Sequence, residues 1–152
     1  LSLSLSLSLW LSPPLSLSLR YDRKEPKDHG EGGLLVGANM VGKRVLLVDD
    51  VITAGTAIRA AVGMLGEIEG ATVIGAVIAL DRQEVRGGPE LPAAGEPRRS
   101  AVQSVEADLG ISVTAVAKLD DLVSFLELEG GVAVRAALGS MREYRTKYGV
   151  SY

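Results

Sequence analysis

The residues best suited to chemistry follow a short apolar run at residues 45–48. Asp49 and Asp50 come directly after this run, and a turn of small and hydroxyl residues (TAGT, residues 53–56) precedes a predicted helix. Free backbone N–H groups and the positive dipole end at a helix N-terminus favour a bound phosphate monoester. Because carboxylates repel phosphate, we expect the acidic pair to face sugar hydroxyls or a hydrated Mg²⁺.

A second candidate segment is basic and rich in glycine (RKEPKDHGEGG, residues 23–33). Its cations, Arg23, Lys24, Lys27 and His29, are mixed with acidic residues, as in many solvated surface loops. In a reaction that expels diphosphate from a ribose, such cations would stabilise the charge that develops on the leaving group. The glycines would let the loop close over the site and exclude water.

A third candidate is Arg82, which follows a second apolar run (residues 73–80) in the string LDRQE. An arginine in this position can hold a planar carboxylate through two parallel hydrogen bonds. The alternative is a surface arginine paired with Asp81 or Glu84, and the residue types alone favour that alternative.

Composition excludes several classes of protein. A net charge of −3 argues against nucleic acid as a partner, and the absence of cysteine excludes a disulfide scaffold, a thiolate zinc site and a cysteine nucleophile. The single histidine excludes any site that needs two. Residues 1–19 alternate Leu and Ser, so they lack the roughly 20 mainly apolar residues of a membrane span.

The remaining pattern alternates strands and helices. Apolar runs at residues 45–48, 73–80 and 113–117 predict buried parallel strands, the first of them apolar on both faces. Helical periodicity lies between and after them, and Ser100 with Gln103 forms a capping-box pair. Together these elements predict a doubly wound, mostly parallel α/β sheet over residues 20–152. Residues 1–19 are predicted to be disordered, or to be a gene-model artefact, because a CT dinucleotide repeat translates as Leu-Ser.

The string VLLVDDVITAGTA (residues 45–57) resembles the ribose-phosphate motif of type I phosphoribosyltransferases. The resemblance implies the fold of that family, with the acidic pair on the ribose hydroxyls of 5-phosphoribosyl 1-diphosphate (PRPP) and the turn on its 5-phosphate. The implied PRPP-binding residues in this segment are Asp49, Asp50, Val51, Ile52, Thr53, Ala54, Gly55, Thr56 and Ala57.

The segments RKEPKDHGEGG, LDRQE and EYRTKYGV (residues 143–150) narrow the resemblance to orotate phosphoribosyltransferase. It implies that Arg23 and Lys24 contact the diphosphate, and that Lys27 and His29 act from the neighbouring subunit of a homodimer. Lys27, His29, Asp49 and Asp50 are the implied catalytic residues, and Thr53 and Arg82 the implied orotate contacts. The resemblance further implies Mg²⁺ as cofactor, orotidine 5′-monophosphate and diphosphate as products, and a cytoplasmic enzyme of pyrimidine (UMP) biosynthesis.

The sequence departs from that family before residue 20, where an N-terminal portion is not visible. We therefore expect exposed apolar surface beside the sheet, and weak activity. Three alternatives stay open: a truncated, non-catalytic PRPP-binding protein, a purine or uracil phosphoribosyltransferase, and a phospho-acceptor receiver domain.

Overall fold

The computed structural model describes residues 20–22, 35–86, 98–129 and 131–150, and the chain divides into two units after Asn39. In the first unit, strand β1 (Arg20–Asp22) pairs antiparallel with β2 (Leu35–Gly37), so that Tyr21 lies opposite Val36. The basic segment predicted to form a mobile loop lies outside the described residues, as do residues 1–19 and 87–97. The predicted domain boundary after residue 19 therefore stays a prediction.

The described residues of the second unit form a parallel sheet and four helices. Its elements are, in chain order, β3 (Arg44–Val51), α1 (Thr56–Gly66), β4 (Thr72–Asp81), α2 (Ala101–Leu109), β5 (Val113–Lys118), α3 (Leu119–Glu129) and α4 (Val132–Tyr148). The strands lie in the order β3-β4-β5 and all pair in parallel. The three predicted strands fall inside β3, β4 and β5, which confirms the α/β prediction.

Helices α1 and α2 cover one face of this sheet. Ile78 at the centre of β4 and Val105 on α2 are fully buried, and Ile58 on α1 packs in the same cluster. Burial of such side chains provides about 1.5–3 kcal/mol each. Helix α2 begins with the predicted capping box, because Ser100 Oγ accepts from Gln103 N (3.0 Å) and Ser100 N donates to Gln103 Oε1 (2.9 Å).

The other face of the sheet is open in the described part of the chain. Leu46, Val48 and Val116 share it and are 51%, 77% and 78% exposed. Strand β3 pairs only with β4 among the described residues, so it is an edge strand with one exposed face. The prediction that residues 45–48 are buried on both faces is therefore wrong for this part of the chain. Within the described residues, the expected exposed apolar surface beside the sheet is present.

Among the helices that the structure describes, none combines the length and the hydropathy that a membrane span requires.

Candidate active site

The turn after β3 forms one wall of a pocket of about 240 Å³. The strand ends at Val51, Ile52 is buried beneath the turn, and α1 begins at Thr56. The pocket is lined by Asp49, Val51, Ile52, Thr53, Gly55, Thr56, Ala57 and Ile58. The structure thus brings one of the two predicted acidic residues and most of the predicted turn to a single cavity.

Gly55 gives the turn its shape. It caps α1 in the left-handed conformation with φ 73°, and it is buried. A Cβ atom at this position would lie 2.5 Å from Val105 Cγ2 and 2.5 Å from Arg59 Nη1. Only glycine therefore satisfies both the backbone conformation and the close approach.

The N-terminus of α1 is suited to an anion. Its cap has no side chain that bonds to the first turn, and the first turn contains no acidic residue. The first N–H groups of a helix have no partner within the helix, so Thr56 and Ala57 present donors at the pocket wall. With the dipole of α1 added, the local field favours a phosphate group.

Asp49 and Asp50 lie on opposite faces of β3, as the strand period predicted. Asp49 is half-buried on the face that the helices cover, and its Oδ1 accepts from Asp50 N (3.0 Å). Asp50 is exposed on the open face, outside the pocket lining, and its Oδ1 accepts from Val51 N (2.7 Å). The two carboxylates therefore have different surroundings, and only Asp49 borders the cavity.

The acidic pair also determines what kind of metal site is possible here. The described residues contain no group of three or more His, Cys, Asp or Glu side chains able to enclose an ion. Mg²⁺ commonly keeps several waters and binds through one or two carboxylates together with substrate phosphates. Asp49 borders the cavity and fits that mode, whereas Asp50 lies on the opposite face of β3, so the two carboxylates do not form a site made only of protein ligands.

Arg82 follows β4 at the same edge of the sheet, but it does not line the pocket. Because Val51 pairs with Leu80, the carboxyl ends of β3 and β4 are neighbours. Arg82 is one-third exposed, and its Nε lies 3.2 Å from Glu84 Oε1. The alternative of an ion pair with Glu84 is thus the observed arrangement. Burial raises the pKa of the Glu84 carboxyl, and the Arg82 guanidinium partly opposes that rise.

Gln83 is a structural residue of this segment that the sequence did not reveal. It has a left-handed backbone with φ 54°, and its side chain is nearly fully buried. Its Oε1 accepts from Asp120 N (2.9 Å), and its Nε2 donates to Asp120 Oδ2 (3.0 Å). The amide therefore joins the end of β4 to the start of α3. No local pattern reveals this contact, because the partner is 37 residues away.

Arg59 on α1 is the second residue that sequence reasoning missed. Its Nη1 donates to the carbonyl of Ala54 (2.7 Å), and its Nη2 pairs with Asp108 Oδ2 on α2 (2.5 Å). The guanidinium holds the pKa of Asp108 below its usual value through this hydrogen bond. A basic residue one turn into the helix was the available signal, but its partner lies 49 residues further along the chain.

The four predicted lid cations, Arg23, Lys24, Lys27 and His29, lie outside the described residues. Their roles stay predictions.

Comparison with known proteins identifies the family to which this chain belongs. The model of the phosphoribosyl transferase domain matches residues 11–92, which include β3, the turn and β4. The chain belongs to the phosphoribosyltransferase family. The predicted type I phosphoribosyltransferase fold is thereby confirmed, and the receiver-domain alternative is excluded.

Two curated relatives of this chain bear the name orotate phosphoribosyltransferase. The chain is 52% identical to orotate phosphoribosyltransferase of Stenotrophomonas maltophilia over 134 residues, which are 88% of this chain and 57% of the relative. It is 50% identical to the Acinetobacter baumannii enzyme of the same name, over 86% of this chain and 54% of that protein. The chain thus spans somewhat more than half the length of these curated relatives.

A solved structure agrees with the sequence comparison. The crystal structure of orotate phosphoribosyltransferase from Francisella tularensis matches 90% of this chain and 58% of its own, with a TM-score of 0.66 and 31% identity.

Proposed function

We propose that this phosphoribosyltransferase acts on orotate in the cytoplasm. It would transfer phosphoribose from PRPP to orotate, giving orotidine 5′-monophosphate and diphosphate in UMP biosynthesis. Relatives with 50–52% identity bear the name orotate phosphoribosyltransferase. The observation that carries the proposal is a pocket that Asp49 lines together with the N-terminus of α1, whose cap makes no side-chain hydrogen bond.

In this proposal the turn holds the 5-phosphate of PRPP. The N–H groups at the start of α1 donate to the phosphate oxygens, and the hydroxyls of Thr53 and Thr56 supply further donors at the pocket wall. Asp49 accepts hydrogen bonds from the ribose hydroxyls. Because Asp50 is on the opposite face of β3 and outside the pocket lining, the contact to the ribose in this pocket is assigned to Asp49.

Mg²⁺ would be held near Asp49 and Asp50 together with the diphosphate of PRPP, where it would neutralise charge on the leaving group. The protein's own share of that task belongs to the lid. Arg23 and Lys24 would contact the diphosphate, and Lys27 and His29 would reach it from the other subunit of a homodimer. Cations aimed at the departing oxygens stabilise the transition state more than the ground state.

The bond changes are simple. N1 of orotate gives up its proton to solvent, and its lone pair forms the new bond to ribose C1. The bond from C1 to the diphosphate oxygen breaks, and its electron pair leaves with diphosphate. The nucleophile is the substrate's own nitrogen, so the protein contributes positioning and charge stabilisation. Arg82 would bind the orotate carboxylate, exchanging its contact with Glu84 for the substrate, and Thr53 would contact the pyrimidine.

A substrate panel tests this function. The chain is assayed for PRPP-dependent product with orotate, uracil and hypoxanthine, beside the variants Arg82→Ala and Arg135→Ala. Arg135 is an exposed arginine of α4 and serves as the control. We expect product with orotate only. Loss of a charged hydrogen bond in Arg82→Ala should raise KM for orotate about tenfold to a hundredfold, with no change in the control.

Turnover of uracil or hypoxanthine in place of orotate would contradict the proposed substrate. PRPP binding without turnover of any base would instead indicate a non-catalytic PRPP-binding protein.

A further inference from the structure

The side chain of Arg59 bridges the phosphate-binding turn and the neighbouring helix. Nη1 donates to the carbonyl oxygen of Ala54 (2.7 Å), while Nη2 pairs with Asp108 Oδ2 (2.5 Å). Only about a quarter of the Arg59 side chain is exposed. The guanidinium is therefore fixed at both of its ends.

This contact determines which backbone group the turn can present. The carbonyl of Ala54 and the N–H of Gly55 belong to one planar trans peptide, so they point in opposite directions. While Arg59 holds the carbonyl, the N–H of Gly55 must point away from the guanidinium. Because Gly55 lines the pocket, this peptide's orientation decides whether a phosphate meets an N–H donor or a repelling carbonyl.

Gly55 alone would not keep the peptide in one orientation. A glycine adopts left-handed and right-handed backbone conformations with similar ease, so its neighbouring peptides flip readily unless another group holds them. A Cβ atom added to Gly55 would lie 2.5 Å from Arg59 Nη1, so the guanidinium lies directly beside this glycine. Arg59 thus holds the most flexible residue of the turn in place.

Asp108 orients the arginine. It lies on α2, its carboxylate pairs with Arg59 at 2.5 Å, and Arg86 approaches the same oxygen at 3.7 Å. Without this carboxylate, Arg59 would keep its bond to Ala54 but would lose the second contact that directs the guanidinium. The planar, forked donor set of arginine serves both acceptors at once, which the single ammonium of lysine does not.

We propose that Arg59, oriented by Asp108, is a positioning residue that sets the phosphate-binding turn of this enzyme. The inference rests on the proposed PRPP site. It extends that site to two residues outside the pocket lining, one of them on a different helix. Arg59 acts through the backbone of the turn.

Ligand titration tests the inference. Ribose 5-phosphate probes the turn without the diphosphate or the base, and its dissociation constant is measured for the unmodified protein and for Arg59→Lys, Arg59→Ala and Asp108→Asn. Misplacement of binding groups by small distances weakens their action strongly, so we expect the two Arg59 variants to bind about tenfold or more weakly. Asp108→Asn should lose less affinity because the bond to Ala54 remains.

Kinetics separate positioning from a general structural effect. We expect KM for PRPP to rise in Arg59→Lys by the same factor as the dissociation constant, with kcat and KM for orotate unchanged. The matched control is Arg142→Lys, which alters an arginine–carboxylate pair of the same 2.5 Å length between α4 and α3. It should leave every constant unchanged. Unfolding curves identify any variant that fails to fold. If Arg59→Ala fails to fold, the test rests on Arg59→Lys and Asp108→Asn.

Three results would overturn the inference. Unchanged ribose 5-phosphate affinity in a folded Arg59→Lys would overturn it alone and leave the proposed function intact. Equal losses in Arg59→Lys and Arg142→Lys would show a nonspecific effect and also overturn it. Failure of the unmodified protein to bind either ribose 5-phosphate or PRPP would overturn both the inference and the proposed function.

Discussion

Individual residues of the site differ in how far their sequence context determines them. Gly55 is determined by its own backbone, because its left-handed conformation with φ 73° favours glycine. Arg59 and Gln83 depend on Asp108 and Asp120, which are distant in sequence and become neighbours only after folding. Residue types and spacing therefore predicted the turn and the acidic pair, but not the side chains that support them.

Replacement of Gly55 by alanine should destabilise the protein by about 1–3 kcal/mol, because the new Cβ would meet Val105 and Arg59 and would strain the backbone. The matched control is Gly63→Ala in the same helix, where a Cβ would meet nothing within 4 Å. That variant should gain about 0.5–1 kcal/mol of stability. Urea denaturation measures both changes, and equal stability of the two variants would contradict this account of Gly55.

Ionisation of Glu84 should make stability depend on pH. Burial raises the pKa of this carboxyl above 4.5, so the folded state binds its proton more tightly than the unfolded state does. The resulting stabilisation is fully present below about pH 4.5 and is lost as the pH rises through the raised pKa. In Glu84→Gln we expect this decline in the free energy of unfolding to disappear.

Denaturation at a series of pH values provides the measurement. The control is Glu129→Gln, an exposed residue near the end of α3. In Glu129→Gln the free energy of unfolding should decline with rising pH as it does in the unmodified protein. A decline of the same size in Glu84→Gln would contradict the assignment.

At the scale of elements, hydrophobic periodicity predicted the three parallel strands and the helices between them. The capping box of α2 was also predictable, because both of its residues lie within one helical turn. The edge position of β3 was not predictable from its own residues. An apolar run of four residues specifies a strand, but it does not say whether a neighbour covers its second face.

Removal of the α2 cap tests the local part of this account. Ser100→Ala deletes the acceptor of the Gln103 N–H, and Ser100 is fully buried, so we expect a loss of about 1 kcal/mol. Ser140 on α4 is exposed, and its Oγ donates to Ala136 O (3.4 Å) in the same helix, so Ser140→Ala should change stability by less than about 0.5 kcal/mol. Thermal unfolding compares the two, and equal effects would argue against a capping role.

At the scale of the whole molecule, the main feature of the residues that the structure describes is the open apolar face of the sheet. Val48 and Val116 lie on it and are each more than three-quarters exposed. Contiguous exposed apolar surface promotes association. Replacing both residues with threonine should reduce concentration-dependent association, which sedimentation velocity measures, while changing stability by less than about 0.5 kcal/mol.

Val105→Thr is the buried counterpart of this experiment. Its side chain is completely enclosed, so an added hydroxyl without a partner should cost about 1–3 kcal/mol. If the double variant of Val48 and Val116 associates as strongly as the unmodified protein, the open face does not drive self-association.

The central claim is that PRPP places its phosphate at the start of α1, and nuclear magnetic resonance titration tests it most directly. Amide resonances are followed while PRPP and Mg²⁺ are added to the chain. We expect saturable shifts that are largest at Gly55, Thr56 and Ala57, with weaker saturation in Asp49→Asn. Shifts confined to other segments, or no saturable shift at these three amides, would contradict the claim.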